Sequence, residues 1–132
     1  RRRLNMTLAI GTDIVEISRI ESSLSRQGDR LVQRILRPNE QAKYESIQNI
    51  KVKTAYLAKR WCAKEAIAKA LGTGIAKGVG FQQIEIIHDE LGAPMVNLYD
   101  GALSRLHDLG AKKALISLSD EQHYALAFCT LI

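Results

Sequence analysis

The sequence has few of the residues that mark several classes of protein. Only two cysteines occur in 132 residues, Cys62 and Cys129, and they lie in separate apolar segments. This excludes a disulfide-rich scaffold and predicts two small buried side chains in a reducing compartment. No CxxC or HxxxH spacing occurs, so we expect no zinc site. Aromatic residues make up 5% and do not alternate with basic ones, which argues against a stacking surface for single-stranded nucleic acid.

Long apolar runs are also missing. No stretch approaches the roughly 18 residues that a membrane helix needs, so we expect no membrane partner. The apolar residues after the basic RRRLN are too few for a signal peptide, which predicts a cytoplasmic protein. We expect residues 1–5 to be a disordered or vector-derived tail before a start at Met6. Residues 6–132 are then expected to form a single domain.

The chain does have an excess of positive charge. Its formal net charge is +5 and its pI is about 9.4. Such a surplus predicts an acidic partner or an anionic ligand. Two classes of function remain open at this point: an enzyme that acts on a phosphate compound, and a small basic module that binds RNA.

Hydrophobic periodicity predicts helices in the first half of the chain, after one strand. TLAIGTDIV predicts the strand, ending near Asp13. A helix with a Ser18–Glu21 capping box follows and ends at Gly28. LVQRIL keeps helical spacing, and Pro38 suits the first turn of the next helix. QNIKVK is expected to be a loop before a longer helix over residues 54–71.

The second half predicts strands and one short helix. QIEIIHD and MVNLY form a hairpin across DELGAP. Asp100 is expected to cap a helix that Gly110 closes. KALISLS and HYALAFCTLI are the last strands, joined near Asp120. This order predicts an α+β fold, with an antiparallel or mixed sheet and grouped helices.

The longest predicted helix carries the most suggestive motif. Glu65 and Lys69 are four residues apart and therefore share a face. An exposed ion pair of this kind contributes only about 0.3–0.5 kcal/mol and often has no function. Gly72-Thr73-Gly74 follows directly, and glycines let backbone N–H groups approach a phosphate. The alternative is a plain helix stop with a flexible connection.

A second carboxylate lies on the first strand. Ala9, Gly11 and Asp13 share one face, because strand side chains alternate. Asp13 could simply cap the following turn. It could also join Glu65 as a ligand of Mg²⁺, which takes one or two protein carboxylates together with waters and substrate phosphate. Lys69 and Arg60 would then hold the remaining phosphate charge.

Two stretches together resemble a known family. GTDIVEISRIE (residues 11–21) and AKRWCAKEAIAKALGTGI (58–75) are similar to the holo-acyl-carrier-protein synthases, the small bacterial 4′-phosphopantetheinyl transferases. SLSDEQHYALA resembles the closing hairpin of that family. The resemblance implies the phosphopantetheinyl transferase fold and a Mg²⁺-dependent transferase that supports fatty acid biosynthesis. It would move 4′-phosphopantetheine from coenzyme A to a serine of apo acyl carrier protein and release adenosine 3′,5′-bisphosphate.

The resemblance also implies roles for single residues. Asp13 and Glu65 match the magnesium ligands, and Lys69 matches the lysine that contacts the coenzyme A phosphates. These three are the expected catalytic residues, with Glu65, acting through a metal-bound water, as a candidate base. Gly72, Thr73 and Gly74 would lie along the coenzyme.

The family is typically a homotrimer with active sites between protomers. Arg19 and Arg26 match the arginines that meet the acidic carrier protein. Two positions depart from the family pattern: Asp120 stands where many relatives have histidine, and Ala9 where glycine is usual.

Overall fold

The computed structural model describes residues 6–132, so the expected tail of residues 1–5 lies outside the described part. The elements are β1 (Ala9–Glu16), α1 (Ile17–Gln27), α2 (Asp29–Ile35), α3 (Pro38–Ser46), α4 (Ile50–Ala70), β2 (Ile84–His88), β3 (Pro94–Leu98), α5 (Asp100–Asp108), β4 (Ala114–Asp120) and β5 (Tyr124–Leu131). A single 3₁₀ turn, Phe81–Gln83, precedes β2. This arrangement confirms the α+β fold.

Both sheets of the described chain are antiparallel. The larger one has the order β1-β5-β4, and the smaller one is the β2–β3 hairpin. In the larger sheet Ala9 lies opposite Leu131, and Glu16 lies opposite Tyr124. The first strand is therefore an edge strand that pairs with the last one.

Helix α4 lies at the centre of the core. Most of its side chains are buried, among them Leu57, Cys62, Ala66 and Ile67. The inward residues of β1 and β5 pack against it, because every second residue of a strand faces the same side. The residues on this helix face are small, which lets the sheet approach closely.

Gly11 marks the closest approach of β1 to α4. A Cβ atom at this position would lie 2.1 Å from the Ala66 carbonyl oxygen and 2.6 Å from the Ala70 nitrogen. Only a residue without a side chain fits there. The close contact fixes where the next inward residue, Asp13, lies along the helix.

The connection from β1 to α1 differs from the prediction. β1 continues to Glu16, and α1 begins at Ile17 with no side-chain cap. The predicted Ser18–Glu21 capping box is therefore wrong. The Ile17 N–H instead donates to the His123 carbonyl oxygen at 2.8 Å. A long-range backbone contact thus satisfies an amide that the prediction left to a local side chain.

The start of α4 also differs. Asn49 is its N-cap, and the Asn49 side chain accepts hydrogen bonds from the N–H groups of Lys51 and Val52. Most of the expected QNIKVK loop is therefore the first turn of the helix. Asp100 is the first residue of α5, after Tyr99, and makes no side-chain cap bond. The predicted Asp100 cap is wrong.

The other helix boundaries agree with the prediction. Gly28 ends α1, Pro38 is the first residue of α3, and Gly110 with φ 77° follows α5. LVQRIL belongs to a separate short helix, α2. Among residues 6–132 no helix has both the length and the apolar character needed to cross a bilayer.

Candidate active site

The β1–α4 contact brings together an aspartate and a lysine from distant parts of the chain. Lys69 Nζ lies 2.9 Å from Asp13 Oδ1 and donates a second hydrogen bond to the Thr12 carbonyl oxygen at 3.1 Å. The Asp13 side chain is 11% exposed, whereas that of Lys69 is 51% exposed. Lys69 therefore pairs with Asp13 across the strand–helix contact. A simple surface pair with Glu65 on the same helix does not describe it.

Glu65 lies in the electrostatic field of Asp13. Burial raises the pKa of Glu65, and the Asp13 carboxylate raises it further, while the positive charges of Lys69 and Arg34 oppose the rise. The structure thus joins Lys69 to Asp13 by a hydrogen bond and lets the Asp13 charge act on Glu65. The roles that the family resemblance implies for these three residues stay a prediction.

One oxygen of this cluster has no partner. Asp13 Oδ2 is buried without a hydrogen bond among the described residues. A buried carboxylate oxygen without a partner is costly unless a cation or a donor satisfies it. Nowhere in residues 6–132 do three or more metal-ligating side chains of His, Cys, Asp or Glu form a group. Two carboxylates, one of them with an unpartnered oxygen, nevertheless offer the hard oxygen ligands that Mg²⁺ takes in proteins.

A thiol on α4 contacts the backbone of the aspartate. The Cys62 thiol donates to the Asp13 carbonyl oxygen at 3.1 Å. Burial raises the pKa of Cys62 to about 12, so the thiol stays neutral. Both cysteines are buried and free, as predicted. Cys62 therefore acts in packing and in holding β1, and its thiolate is not available as a nucleophile.

The glycine loop is built differently from a phosphate cradle. The N–H of Gly72 donates to the Lys69 carbonyl oxygen, and those of Thr73 and Gly74 donate to the Ala68 carbonyl oxygen. Gly72 and Gly74 have positive φ, and the loop closes the end of α4. Of the two interpretations of this stretch, these hydrogen bonds favour the helix stop. Contact of the loop with a coenzyme stays a prediction.

Arg60 is not part of the Asp13 cluster. It lies nine residues before Lys69 on α4, which is two and a half turns, so the two side chains leave opposite faces. The Arg60 guanidinium packs 4.5 Å from the Tyr56 ring centre, and its Nε lies 3.3 Å from Glu40 Oε2. The structure therefore does not bring Arg60 and Lys69 of one chain together, and the expectation that both hold phosphate charge stays a prediction.

Arg60 lines a cavity of about 790 Å³ between α3, α4, β2 and β4. Lys43, Lys59 and His88 also line this cavity, which makes it rich in positive charge. Burial and the neighbouring Arg60 lower the pKa of His88, which favours the neutral imidazole. Asp120 lies at the rim and forms an ion pair with Lys59 at 3.6 Å.

A third basic region lies along α1. Arg19, Arg26, Arg34 and Trp61 line a groove of about 430 Å³. Trp61 is half-buried and packs against the core with part of its ring. Arg19 and Arg26 are seven residues apart and therefore share a face of α1, and the structure places both at this groove.

Several residues of these regions were missed from the sequence. They are Arg34, Glu40, Lys43, Lys59, Lys64 and His88. Each carries an ordinary surface-type side chain at a helix or strand position. No local spacing shows which of them turn inward, because their partners lie on other elements.

Comparisons with known proteins match nearly the whole chain. A family model described as "4′-phosphopantetheinyl transferase superfamily" matches residues 9–129. The chain is 54% identical over 124 residues to a holo-[acyl-carrier-protein] synthase of Shewanella amazonensis, covering 94% of this chain and 97% of the relative.

Solved structures also match nearly the whole chain. The holo-[acyl-carrier-protein] synthase of Neisseria meningitidis superposes with a TM-score of 0.86 at 41% identity, covering 96% of this chain and 99% of the other. The Bacillus anthracis holo-(acyl-carrier-protein) synthase, solved in complex with CoA (3′,5′-ADP), gives a TM-score of 0.80 at 33% identity. That match covers 96% of this chain and 97% of the other.

Proposed function

We propose a function from the family of this chain, which belongs to the 4′-phosphopantetheinyl transferase superfamily and is a transferase of the holo-[acyl-carrier-protein] synthase type. The proposed reaction is the transfer of 4′-phosphopantetheine from coenzyme A to a serine of apo acyl carrier protein. Adenosine 3′,5′-bisphosphate is the proposed second product, and Mg²⁺ the proposed cofactor. The observation that carries the proposal is the meeting of Asp13, Glu65 and Lys69 at the β1–α4 contact.

The donor set of this cluster supports a magnesium site. Asp13 and Glu65 are the residues proposed to hold the ion, since they offer two hard oxygen ligands and one of the Asp13 oxygens has no other partner. When bound, Mg²⁺ would neutralise the charge that develops on the pyrophosphate during transfer.

The protein side chains then have separate tasks. Lys69 is half exposed, so its ammonium can leave Asp13 and bind a phosphate oxygen of coenzyme A. There it would stabilise negative charge on the bridging oxygen as the P–O bond breaks. Glu65 is the candidate base, and it would accept the proton of the serine hydroxyl through one water. The serine oxygen attacks the phosphorus, and adenosine 3′,5′-bisphosphate leaves.

We propose that the chain acts as a homotrimer with its sites between protomers. The outward face of the larger sheet is apolar: Ile10, Ile14, Leu115, Leu126 and Phe128 are each 41–62% exposed. These residues come from three neighbouring strands and alternate with buried ones. A group of exposed apolar side chains on one sheet face is typical of a surface covered in an assembly.

The positions of Arg60 and Lys69 support a shared site. They leave opposite faces of α4 and are separated by about 13 Å along its axis. Coenzyme A carries a pyrophosphate and a separate ribose phosphate. One molecule bound between protomers could place its pyrophosphate at Lys69 of one protomer and its ribose phosphate in the Arg60 cavity of the next. Each would then meet a matching positive charge.

The α1 groove is the proposed docking surface for the carrier protein. Arg19 and Arg26 are exposed there, and Arg34 extends the positive charge toward Glu65. An acidic partner would be attracted to this surface and oriented toward the metal site. Two free, buried cysteines agree with a reducing compartment, so we propose a cytoplasmic location. Because the proposed substrate is an acyl carrier protein, we also propose a role in fatty acid biosynthesis.

The test is direct modification of the carrier. The chain is incubated with coenzyme A, MgCl₂ and apo acyl carrier protein, and the carrier is then weighed by mass spectrometry. We expect the mass of one phosphopantetheine group to be added, and none to be added with EDTA or with a carrier whose serine is replaced by alanine. The absence of the adduct, together with salt-sensitive RNA binding, would favour the basic module instead.

A further inference from the structure

A buried ionic cluster forms part of the wall of the basic cavity, and two of its members, Glu40 and Lys64, have no part in the chemistry described above. Its centre is Glu40 on α3, whose side chain is 2% exposed. Lys64 on α4 is completely buried and donates to Glu40 Oε1 at 2.7 Å. Arg60 approaches Glu40 Oε2 at 3.3 Å. One carboxylate thus faces two cations, and burying charges in this way is costly unless the geometry serves a purpose.

Every contact of the Glu40 carboxylate is with a donor. Oε1 accepts from the backbone N–H of Arg37 at 2.9 Å as well as from Lys64. Oε2 accepts from the backbone N–H of Ile86 at 3.1 Å. The carboxylate therefore joins α3, α4 and β2, which are three of the walls of the cavity. An amide in its place would turn an NH₂ group toward donors whichever way it rotated.

Lys64 and Arg60 differ in what else they contact. The Lys64 ammonium has two further acceptors, the carbonyl oxygens of Ile35 and Phe81, so its donors are satisfied inside the protein. Arg60 Nε has only the ionic contact with Glu40 and no hydrogen bond among the described residues. Its Nη2 lies 3.5 Å from His88 Nδ1, at the cavity wall. The cluster of Glu40, Lys64 and Arg60 thus has one more positive than negative charge, and the charge of Arg60 faces the cavity.

We infer that Glu40 is a positioning residue for coenzyme A: its carboxylate, in contact with Arg60 Nε, holds the guanidinium between the Tyr56 ring and His88 so that the outer N–H groups face a phosphate in the cavity. The inference rests on the proposed function, in which Arg60 binds a phosphate of coenzyme A. Glu40 does not touch the substrate, so it affects binding only through Arg60.

A double-mutant cycle tests this coupling. The Michaelis constant for coenzyme A and kcat are measured for wild type, Glu40→Gln, Arg60→Gln and the double variant. We expect each single change to raise KM about tenfold, with kcat at saturating coenzyme A within about twofold of wild type. The double variant should be no worse than Arg60→Gln alone, because Glu40 has nothing left to position.

Lys64→Met is the matched control. It removes a buried partner of Glu40 and should lower Tm, but it leaves the Glu40–Arg60 contact in place. We expect its KM to stay within about twofold of wild type. If Lys64→Met raises KM as much as Glu40→Gln does, the cluster acts through general stability and the inference is wrong.

The remaining outcomes are distinct. If Arg60→Gln raises KM but Glu40→Gln does not, or if the two losses multiply, positioning by Glu40 is refuted and the phosphate role of Arg60 stands. If Arg60→Gln leaves KM unchanged, both the subsite and the inference fall, while the mass-spectrometric test still decides on the transferase. Should Glu40→Gln be unfolded at the assay temperature, Glu40→Asp replaces it. Aspartate keeps the charge but is too short to reach all four donors, and a wild-type KM in that variant would equally overturn the inference.

Discussion

Replacing Gly11 by alanine should separate the strand that carries Asp13 from the helix that carries Glu65 and Lys69. The new Cβ atom would lie 2.1 Å from the Ala66 carbonyl oxygen, where real Cβ contacts do not fall below 3.0 Å. The obstructing atoms belong to the helix backbone and cannot rotate away. The strand and the helix must therefore move apart by about 1 Å, since a close-packed core has no spare volume to absorb the methyl group.

The expected cost follows from this overlap. Overpacking of a core costs about 1–3 kcal/mol, and a backbone obstruction belongs at the upper end of that range. For a chain of this length 1 kcal/mol corresponds to roughly 4 °C in Tm, so we expect a fall of about 8–12 °C. Displacement of a catalytic group by about 1 Å costs on the order of a hundredfold in rate. The assays are thermal unfolding by circular dichroism, and kcat at a temperature well below the unfolding transitions of both wild type and variant.

Two further glycines provide controls. Gly80→Ala meets no atom within 4 Å and should match wild type in both assays. At Gly101 a Cβ would lie 2.2 Å from the Gly78 carbonyl oxygen, so Gly101→Ala should lower Tm to a similar degree, but away from Asp13. The reasoning is refuted if Gly11→Ala keeps wild-type Tm and kcat. It is also refuted if Gly101→Ala loses as much kcat as Gly11→Ala at equal folded fraction.

Four more outcomes are expected from the same site. Asp13→Asn and Glu65→Gln should each raise the Mg²⁺ concentration needed for half-maximal transfer, and the double variant should lose less than the product of the single losses; multiplicative losses at an unchanged midpoint would contradict a shared site. Because the folded-state pKa of Glu65 is raised, its ionised form destabilises the metal-free protein above that pKa. Glu65→Gln should therefore raise Tm at neutral pH in EDTA, and the gain should vanish in acid, below the ordinary pKa of glutamate. Lys69→Ala should lower kcat/KM for coenzyme A and change stability by less than about 1 kcal/mol, because its ammonium is half exposed; wild-type kinetics would reduce Lys69 to a surface partner of Asp13. Charge reversal of Arg19 and Arg26 to glutamate should raise KM for the carrier protein and leave that for coenzyme A unchanged, and an unaltered carrier KM would exclude the α1 groove as the docking surface.

The parts of the fold that could be predicted from the sequence are those that local patterns determine. The alternation in β1 placed Ala9, Gly11 and Asp13 on one face, and Pro38 and Gly28 marked helix ends. The family resemblance paired Asp13 with Glu65, and in the structure the Asp13 charge raises the pKa of Glu65. Spacing along the chain could not have shown this pairing, because it depends on how β1 lies across α4.

The errors have a common physical origin. At Ile17 a helix-start amide is satisfied by a backbone carbonyl from the other end of the chain, which no local capping pattern shows. The glycines after α4 left a phosphate loop and a helix stop both open, and only the structure shows that their amides complete the helix end. Asn49 was a local signal that could have been read correctly, since an asparagine before a helical repeat is a common N-cap.

Buried charge is the part that the sequence hid most completely. Glu40 and Lys64 are residue types that usually lie on a solvated surface. They become interior residues only because α3, α4 and β2 meet around them. Their burial is a property of three elements together.

The pairing of β1 with β5 has a consequence for how the enzyme becomes active during synthesis. Within the described chain, β5 is the one strand bonded to β1, and it is made more than a hundred residues after Asp13. The sheet edge that carries Asp13 cannot be completed until the residues of β5 have left the ribosome. A nascent chain that lacks β5 therefore exposes β1 as an unpaired apolar edge. Such long-range pairing slows folding and exposes the chain to aggregation. Loss of a few residues from β5 should thus reduce the yield of folded protein more than their number alone would indicate.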